Sequence, residues 1–188
     1  MNCCIDVLSE DIIENRLKLI GDIVGYKAAF IIVKDRTFSR YNLKPHYCLK
    51  PVIVKLQIPK GVYATPGQID ALTEFGEYPY RKRRCSNAIV QEILSSDMKY
   101  QYKRAIGHSY YDNDFIYRIG EVVEPKNGFD FNPAKTCCSG IHFFNSIEEA
   151  QRFNRDNWIF VEMAQTRLAR YYEQDLKSKK AWYNSDGK

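Results

Sequence analysis

The chain has 188 residues, of which 45% are hydrophobic and 27% are charged, and its formal net charge is +5. This is an ordinary globular composition, which excludes disorder of the whole chain, and no apolar stretch is long enough to cross a bilayer as a helix. The modest positive charge favours an anionic partner weakly and does not by itself indicate nucleic-acid binding.

The start of the chain and its cysteines bear on the cellular compartment. Acidic residues, among them Asp6 and Glu10, interrupt the apolar positions near the N-terminus, so the pattern of a secretory signal is missing. We therefore predict an intracellular protein whose six cysteines are free thiols. The cysteines show no Cys-x-x-Cys spacing, so we expect no metal site.

The first half of the chain predicts a helix followed by two strands. The helix lies within residues 1–24, where Ser9 suits the N-cap and Gly21 suits the end. Residues 26–33 are apolar, as in a buried strand, and residues 52–58 alternate between apolar and polar side chains, as in a half-buried one. The stretch beginning Thr65-Pro66 is ambiguous between a loop and a short helix, and its fit to the first helical positions favours the helix.

The second half predicts four more strands, at residues 87–93, 115–123, 141–144 and 158–163. A helix follows the third of these, at Asn145 or Ser146, because Ser146 and Glu149 match a capping box. Residues 165–188 then form a C-terminal helix and tail. Since no repeat or linker divides the sequence, we predict a single domain over residues 1–188. Strands that outnumber helices predict an α+β fold, mainly an antiparallel sheet with a few peripheral helices.

The densest positive patch is the run Arg81, Lys82, Arg83 and Arg84. Such a patch can contact phosphates through charge alone, without a particular nucleic-acid sequence. It is equally typical of a solvated turn before the next strand, and no base-stacking aromatic motif accompanies it. We therefore favour the solvated turn over a nucleic-acid interface.

The stretch GIHFF carries the most informative single residue, His142. Along a strand Ile141 and Phe143 lie on one face, while His142 and Phe144 lie on the other. A histidine in this setting is more often a hydrogen-bonded core or rim residue than a catalyst. Its place after a glycine turn and before a capped helix, where strand ends commonly line pockets, favours a functional role.

Four blocks of the sequence carry a resemblance to a known family: YKA at 26–28, VIVKLQIPKGV at 52–62, RKRRCSNAIVQEI at 81–93 and the long block from Phe115 to Phe153. They resemble an uncharacterised domain family known from giant DNA viruses and some phages, sometimes attached to pentapeptide-repeat proteins. The resemblance implies a viral source and an intracellular setting, in the host cytoplasm or the virion, and it implies no established activity.

GIHFFNSIEEAQRF is also similar to a strand and helix of ADP-ribosyltransferase-like folds, which implies an NAD cofactor. In poly-ADP-ribose polymerases this strand carries a tyrosine that stacks on nicotinamide, and His142 holds the matching position. The first strand of such folds bears a histidine or arginine for the nucleotide, where this chain has Tyr26 and Lys27. The resemblance makes Glu162 the catalytic candidate, because it would stabilise the oxocarbenium-like state as nicotinamide leaves.

These observations leave two functions of different class. The favoured one is a non-enzymatic viral accessory module that binds a nucleotide-like ligand or a host protein in an aromatic groove. The alternative is an NAD-dependent ADP-ribosyltransferase, and the substituted catalytic positions count against it. The expected binding residues are Tyr26, Lys27, Arg83, His142 and Phe144.

Overall fold

The computed structural model describes residues 10–35, 46–69, 81–110, 112, 115–135 and 137–158. The first helix, α1, spans Glu10–Leu17, and a second helix, α2, covers residues 147–158. The described residues between them form nine strands. They are β1 (Ile23–Asp35), β2 (His46–Ile58), β3 (Gln68–Ile69), β4 (Arg81–Cys85), β5 (Ala88–Ser95), β6 (Gly107–His108), β7 (Ile116–Tyr117), β8 (Val122–Val123) and β9 (Ile141–Phe143).

A long antiparallel hairpin forms the centre of the fold. β1 and β2 pair along their whole length, from Ile23 opposite Ile58 to Asp35 opposite His46. They are the middle strands of a six-stranded sheet with the order β7-β6-β1-β2-β5-β8, in which every pairing is antiparallel. A second sheet of three strands has the order β3-β4-β9. The fold class is therefore α+β with a mainly antiparallel sheet, as predicted.

Alternation along β1 and β2 places two apolar clusters on opposite faces of the hairpin. One set of side chains, including Ala29 and Val54, forms the inner face and packs against Phe143, Ile141 and Tyr117. The other set, including Ala28 and Ile53, forms the outer face, where Ala150 and Phe153 of α2 cover it. α2 is further fixed by Asn154, whose Nδ2 donates to the backbone oxygen of Val52 at 3.0 Å and whose Oδ1 accepts from the Tyr110 hydroxyl at 2.5 Å.

The strand predictions were correct for β1, β2, β5 and β9, although β1 and β2 are longer than expected. Residues 115–123 do not form one strand, because the chain turns at Ile119-Gly120 and splits it into β7 and β8. Gly120 has a φ of +86°, a conformation that glycine adopts without strain.

Four further predictions need correction or lie outside the described residues. The helix expected from Thr65 is wrong at its start, since Thr65 is non-helical and Gln68–Ile69 form β3. The strand expected over 158–163 is wrong at Trp158, which belongs to α2. The rest of that strand, the C-terminal helix and tail at 165–188 and the proposed cap Ser9 lie outside the described residues.

Candidate ligand-binding site

Tyr26 of β1 and Phe144, which follows β9, join the two sheets. The Tyr26 amide donates to the Phe144 oxygen at 2.9 Å, and the Phe144 amide donates back to the Tyr26 oxygen at 2.8 Å. This pairing brings the YKA and GIHFF segments together despite their distance in sequence. We call the surrounding residues Tyr26, Lys27, Lys82, His142 and Phe144 the β1–β9 corner.

Helix α2 begins shortly after Phe144, at the place that the capping box predicted. The Glu149 amide donates to the Ser146 hydroxyl oxygen at 3.2 Å, so the serine caps α2 as expected. The Glu149 carboxylate accepts instead from the backbone N–H of Arg81, at 3.3 Å. One residue of the box thus caps the helix, and the other attaches α2 to β4.

Tyr26 and Phe144 differ in what they offer a ligand. Tyr26 is half-buried, whereas Phe144 is only 2% exposed because its ring packs against Phe153, with 5.3 Å between ring centroids. Phe144 therefore packs in the core under the corner, and its side chain does not form part of the corner's surface. Beside Tyr26 on β2 lies Lys55, whose Nζ is 2.6 Å from a Glu92 carboxylate oxygen. Hydrogen bonding to that carboxylate raises the pKa of Lys55.

The basic run at 81–84 is a strand and not the solvated turn that we favoured. Arg81 is exposed, but Lys82 is 8% exposed and Arg84 only 1%. Alternation along β4 puts Lys82 and Arg84 on one face and Arg83 and Cys85 on the other. Pairing with β9 and cover from residues 128–140 remove most of the run from water. The side chains of Lys82, Arg83 and Arg84 therefore pack within the protein, and only that of Arg81 is exposed.

Arg84 organises the loop at residues 128–140 around its guanidinium group. Its Nη1 donates to the backbone oxygens of Asp130 and Ser139, both at 2.9 Å, and its Nη2 donates to those of Asn132 and Lys135, at 2.8 and 3.0 Å. Its Cζ also lies 5.4 Å from the ring centroid of Phe129. Four carbonyl dipoles thus surround the buried charge, and they attach the described residues of this loop to β4.

Arg83 lies on the inner face with Phe143, to which it is opposite in the β4–β9 pair. Its Cζ is 5.2 Å from the Phe143 ring centroid, and its Nε donates to the Thr65 oxygen at 2.8 Å. Its Nη1 donates to Asn145 Oδ1 at 3.2 Å. Burial lowers the pKa of Arg83. These contacts hold Arg83 on the inner face, opposite to the face that Tyr26, His142 and Phe144 share.

Lys27 is the most unusual group at the corner. It follows Tyr26 on β1, faces Val54 on the inner side and is 7% exposed. Burial, together with a smaller contribution from the positive charge of Lys82, lowers the pKa of Lys27 from its ordinary value to about 7. At neutral pH this amine is therefore divided between its charged and neutral forms.

Lys82 connects the corner to the loop that Arg84 organises. Its Nζ donates to the Cys137 sulfur at 3.8 Å, and Cys137 is exposed. His142 lies opposite Arg84 in the β4–β9 pair and is half-buried. Lys82, His142 and Tyr26 therefore belong to the same side of the joined sheets, next to the end of the loop.

The structure places Tyr26, His142 and Phe144 on the same side of the joined sheets, and it places Lys27 and Arg83 on the inner face. Glu162 lies outside the described residues. Sequence reasoning missed Lys82 and Arg84 as buried groups. In a strand, the two-residue period puts Lys82 and Arg84 of RKRRC on the same face, which is the sign that both could be buried together. The unbroken run of four charged residues concealed this period, because no apolar residue alternates with them.

The four cysteines among the described residues, Cys48, Cys85, Cys137 and Cys138, are free thiols. In the same part of the chain no three His, Cys, Asp or Glu side chains are grouped as metal ligands. Burial raises the pKa of the Cys85 thiol above its ordinary value, so Cys85 behaves as a small core residue.

The fold and corner define an α+β domain with basic groups buried in its sheets. Residues 14–150 match the model of a family of unknown function, DUF5758, and the chain belongs to this family. The uncharacterized protein L223 of Acanthamoeba polyphaga mimivirus is 33% identical over 102 residues. That match covers 54% of this chain and 61% of the relative, so the chain spans less than two thirds of the relative's length.

The family and the relative confirm an uncharacterised domain family that occurs in giant viruses, as the sequence blocks predicted. No solved structure matches the chain. The similarity to ADP-ribosyltransferase-like folds stays a prediction. Over the described ranges, the helices are too short and polar for any of them to traverse a membrane.

Proposed function

We propose that this viral domain binds a nucleotide-like ligand at the β1–β9 corner and catalyses no reaction on it. The observation that carries the proposal is the pairing of Tyr26 with Phe144, which supports a site where the half-buried Tyr26 and His142 and the buried Lys82 belong to the same side of the joined sheets. A nucleotide has an aromatic base and an anionic phosphate, and the corner offers a partner for each.

The base-binding part of the proposal rests on Tyr26 and His142. A tyrosine ring gives a base a flat apolar surface, and stacking of this kind contributes about 1–3 kcal/mol per base. The imidazole of His142 can donate or accept a hydrogen bond near neutral pH. Phe144 and Phe153 pack beneath the backbone at this point, so the surface that would receive the base has rigid support.

The test is isothermal titration of the full chain with AMP, ADP and NAD. We expect Tyr26→Phe to keep the affinity of the wild-type protein, because the ring remains, and Tyr26→Ala to weaken it at least about tenfold, which is 1.4 kcal/mol. Tyr100→Ala is the matched control, because Tyr100 is an exposed tyrosine on another segment. His142→Ala gives a second test that does not depend on how well Tyr26→Ala folds.

Two results would contradict the proposal. If none of the three nucleotides binds, the binding of a host protein is the surviving alternative. If labelled NAD transfers its ADP-ribose to proteins of a host lysate, the domain is an enzyme and the non-catalytic proposal is wrong.

A further inference from the structure

We infer that Cys137 is a modification site, where its thiol exchanges with a small acidic disulfide, of the class of oxidised glutathione, and forms a mixed disulfide. The inference goes beyond nucleotide binding and does not depend on it, because it concerns a covalent reaction of the loop at residues 128–140. It rests on the access to the Cys137 thiol, on the charged groups around its sulfur and on the anchored backbone beside it.

The first argument is that Cys137 differs from the other described cysteines in access. Cys137 is exposed, Cys48 and Cys138 are half-buried, and Cys85 is buried. Burial raises the pKa of the Cys85 thiol and also that of the Cys138 thiol, so both stay protonated at neutral pH. The thiolate is the attacking form and it must reach the incoming disulfide. Among the described cysteines, Cys137 is therefore the one open to this reaction.

The second argument is the cation beside the Cys137 sulfur. The ammonium of Lys82 donates a hydrogen bond to this sulfur, with 3.8 Å between Nζ and Sγ. Lys82 is only 8% exposed, because it is on the face of β4 that the loop covers. In thiol–disulfide exchange, negative charge passes from the attacking sulfur to the leaving sulfur. A partly buried ammonium at the attacking sulfur stabilises that charge more than one in water would.

The third argument is the sign of the charges near Cys137, which favours an acidic disulfide. Besides Lys82, the buried guanidinium of Arg84 is close to the cysteine pair, since it bonds to the backbone oxygen of Lys135. The Lys135 ammonium pairs with the Asp130 carboxylate at 3.3 Å. Among these groups positive charge is in excess, and a positive field raises the local concentration of an anionic reactant.

The anchored backbone on both sides of the cysteine pair keeps Cys138 from displacing the adduct. The backbone oxygens of Lys135 and Ser139 both accept from Arg84, at 3.0 and 2.9 Å. The Cys138 sulfur donates to the same Lys135 oxygen at 3.6 Å. Because disulfide geometry is specific, a bond between Cys137 and Cys138 would turn the Cys138 sulfur from its acceptor and reshape this backbone. The mixed disulfide at Cys137 therefore persists.

The reaction exchanges one disulfide bond for another. The Cys137 thiolate bonds to one sulfur of oxidised glutathione, the S–S bond of glutathione breaks, and the other half leaves as a thiolate. The proton that Cys137 gave up to solvent is balanced by the proton that the released glutathione takes up. Cysteine is oxidised while one glutathione is reduced, so no further oxidant is needed.

The experiment incubates the reduced full chain with oxidised glutathione at pH 7.4. Intact mass follows the adduct, and fragmentation of the peptide that holds both cysteines locates it. We expect one glutathione on Cys137, formed faster than any adduct on Cys138 or Cys85. Cys137→Ser should lose this adduct, and Cys138→Ser should keep it.

The role of Lys82 is tested by its methionine variant. Lys82→Met should slow the reaction of Cys137 with oxidised glutathione at least about threefold, and should slow the reaction with cystamine, a cationic disulfide, by less. Lys50→Met is the matched control, because Lys50 is an exposed lysine of β2, and it should react as the wild type does.

Alkylation by uncharged iodoacetamide separates the effect of charge from that of access and folding. Lys82→Met should slow alkylation of Cys137 at pH 7 and leave it at the wild-type rate at pH 10.5, where the thiol is ionised without help. Alkylation of the buried Cys85 in the same digest reports whether the variant is folded.

The inference is overturned if Cys137 takes up no glutathione, or if Cys138 or Cys85 takes it up as fast. It is also overturned if the product is a disulfide between Cys137 and Cys138 in place of the adduct. A Lys82→Met variant that reacts as Lys50→Met does, or that is slowed equally at both pH values, would contradict the role of the ammonium and overturn the inference too.

Discussion

Tyr26 and Phe144 exchange two backbone hydrogen bonds, at 2.9 and 2.8 Å, and this exchange joins the three-stranded sheet to β1 of the six-stranded one. Gly25, just before Tyr26, makes the junction possible. A Cβ atom at Gly25 would lie 2.5 Å from Cδ2 of the buried Phe143 ring. The absence of a side chain at this one position lets Phe143 fill the inner face beside β1.

We expect Gly25→Ala to destabilise the protein by about 1–3 kcal/mol, because the added methyl overpacks the core against Phe143. Urea denaturation measures the change. Gly21→Ala is the matched control, since nothing lies within 4 Å of a Cβ at that position, and it should stay within about 0.5 kcal/mol of the wild type. Equal stabilities for the two variants would show that Phe143 does not pack tightly against β1.

We expect Arg84→Met to destabilise the protein by about 3–5 kcal/mol, because four loop carbonyls lose their charged donor. The loop at residues 128–140 should then be cleaved faster in limited proteolysis than it is in the wild type. Arg81→Met serves as the control, because the Arg81 side chain is exposed and its contact to Glu149 uses the backbone. An unchanged cleavage rate in Arg84→Met would show that the loop is held by other contacts.

These contacts show what the sequence could and could not predict. A continuous apolar run was sufficient to predict β1, and alternation of apolar and polar residues was sufficient to predict β2. The serine of the capping box located the start of α2. The burial of Arg84 depends on four carbonyls that converge only in the folded loop. Likewise, the charge state of Lys27 depends on Lys82, which is remote in sequence. Tertiary environments of this kind leave no local pattern in the amino-acid sequence, so they could not be predicted from it.

We expect Lys27→Met to stabilise the protein at neutral pH by roughly 2–5 kcal/mol. The folded pKa of Lys27, about 7, lies below the ordinary value of 10.5, so the unfolded chain binds more protons between these values. The wild type therefore gains stability as the pH rises from 7 to 10, and the advantage of Lys27→Met shrinks. Denaturation of both proteins at pH 6, 8 and 10 checks this. A difference that stays constant across this range would mean that Lys27 titrates normally.

We expect Ser146→Ala to destabilise the protein by about 1 kcal/mol through loss of the α2 cap. Ser146→Asp keeps an oxygen that can accept from the Glu149 amide, so it should retain most of the stability. Thermal unfolding of the three proteins distinguishes these cases. If the alanine and aspartate variants unfold at the same temperature, the hydroxyl of Ser146 does not cap the helix.

The most direct test of binding at the β1–β9 corner is an NMR titration with AMP that follows the imidazole signals of His142 and His108. His108 is the internal control, because it pairs with Phe30 of β1 and stacks on its ring at 5.5 Å, beyond the corner. We predict that AMP shifts the His142 signals in a saturable way and leaves those of His108 in place. A titration in which His142 does not respond, or in which both histidines respond equally, would contradict a nucleotide site at this corner.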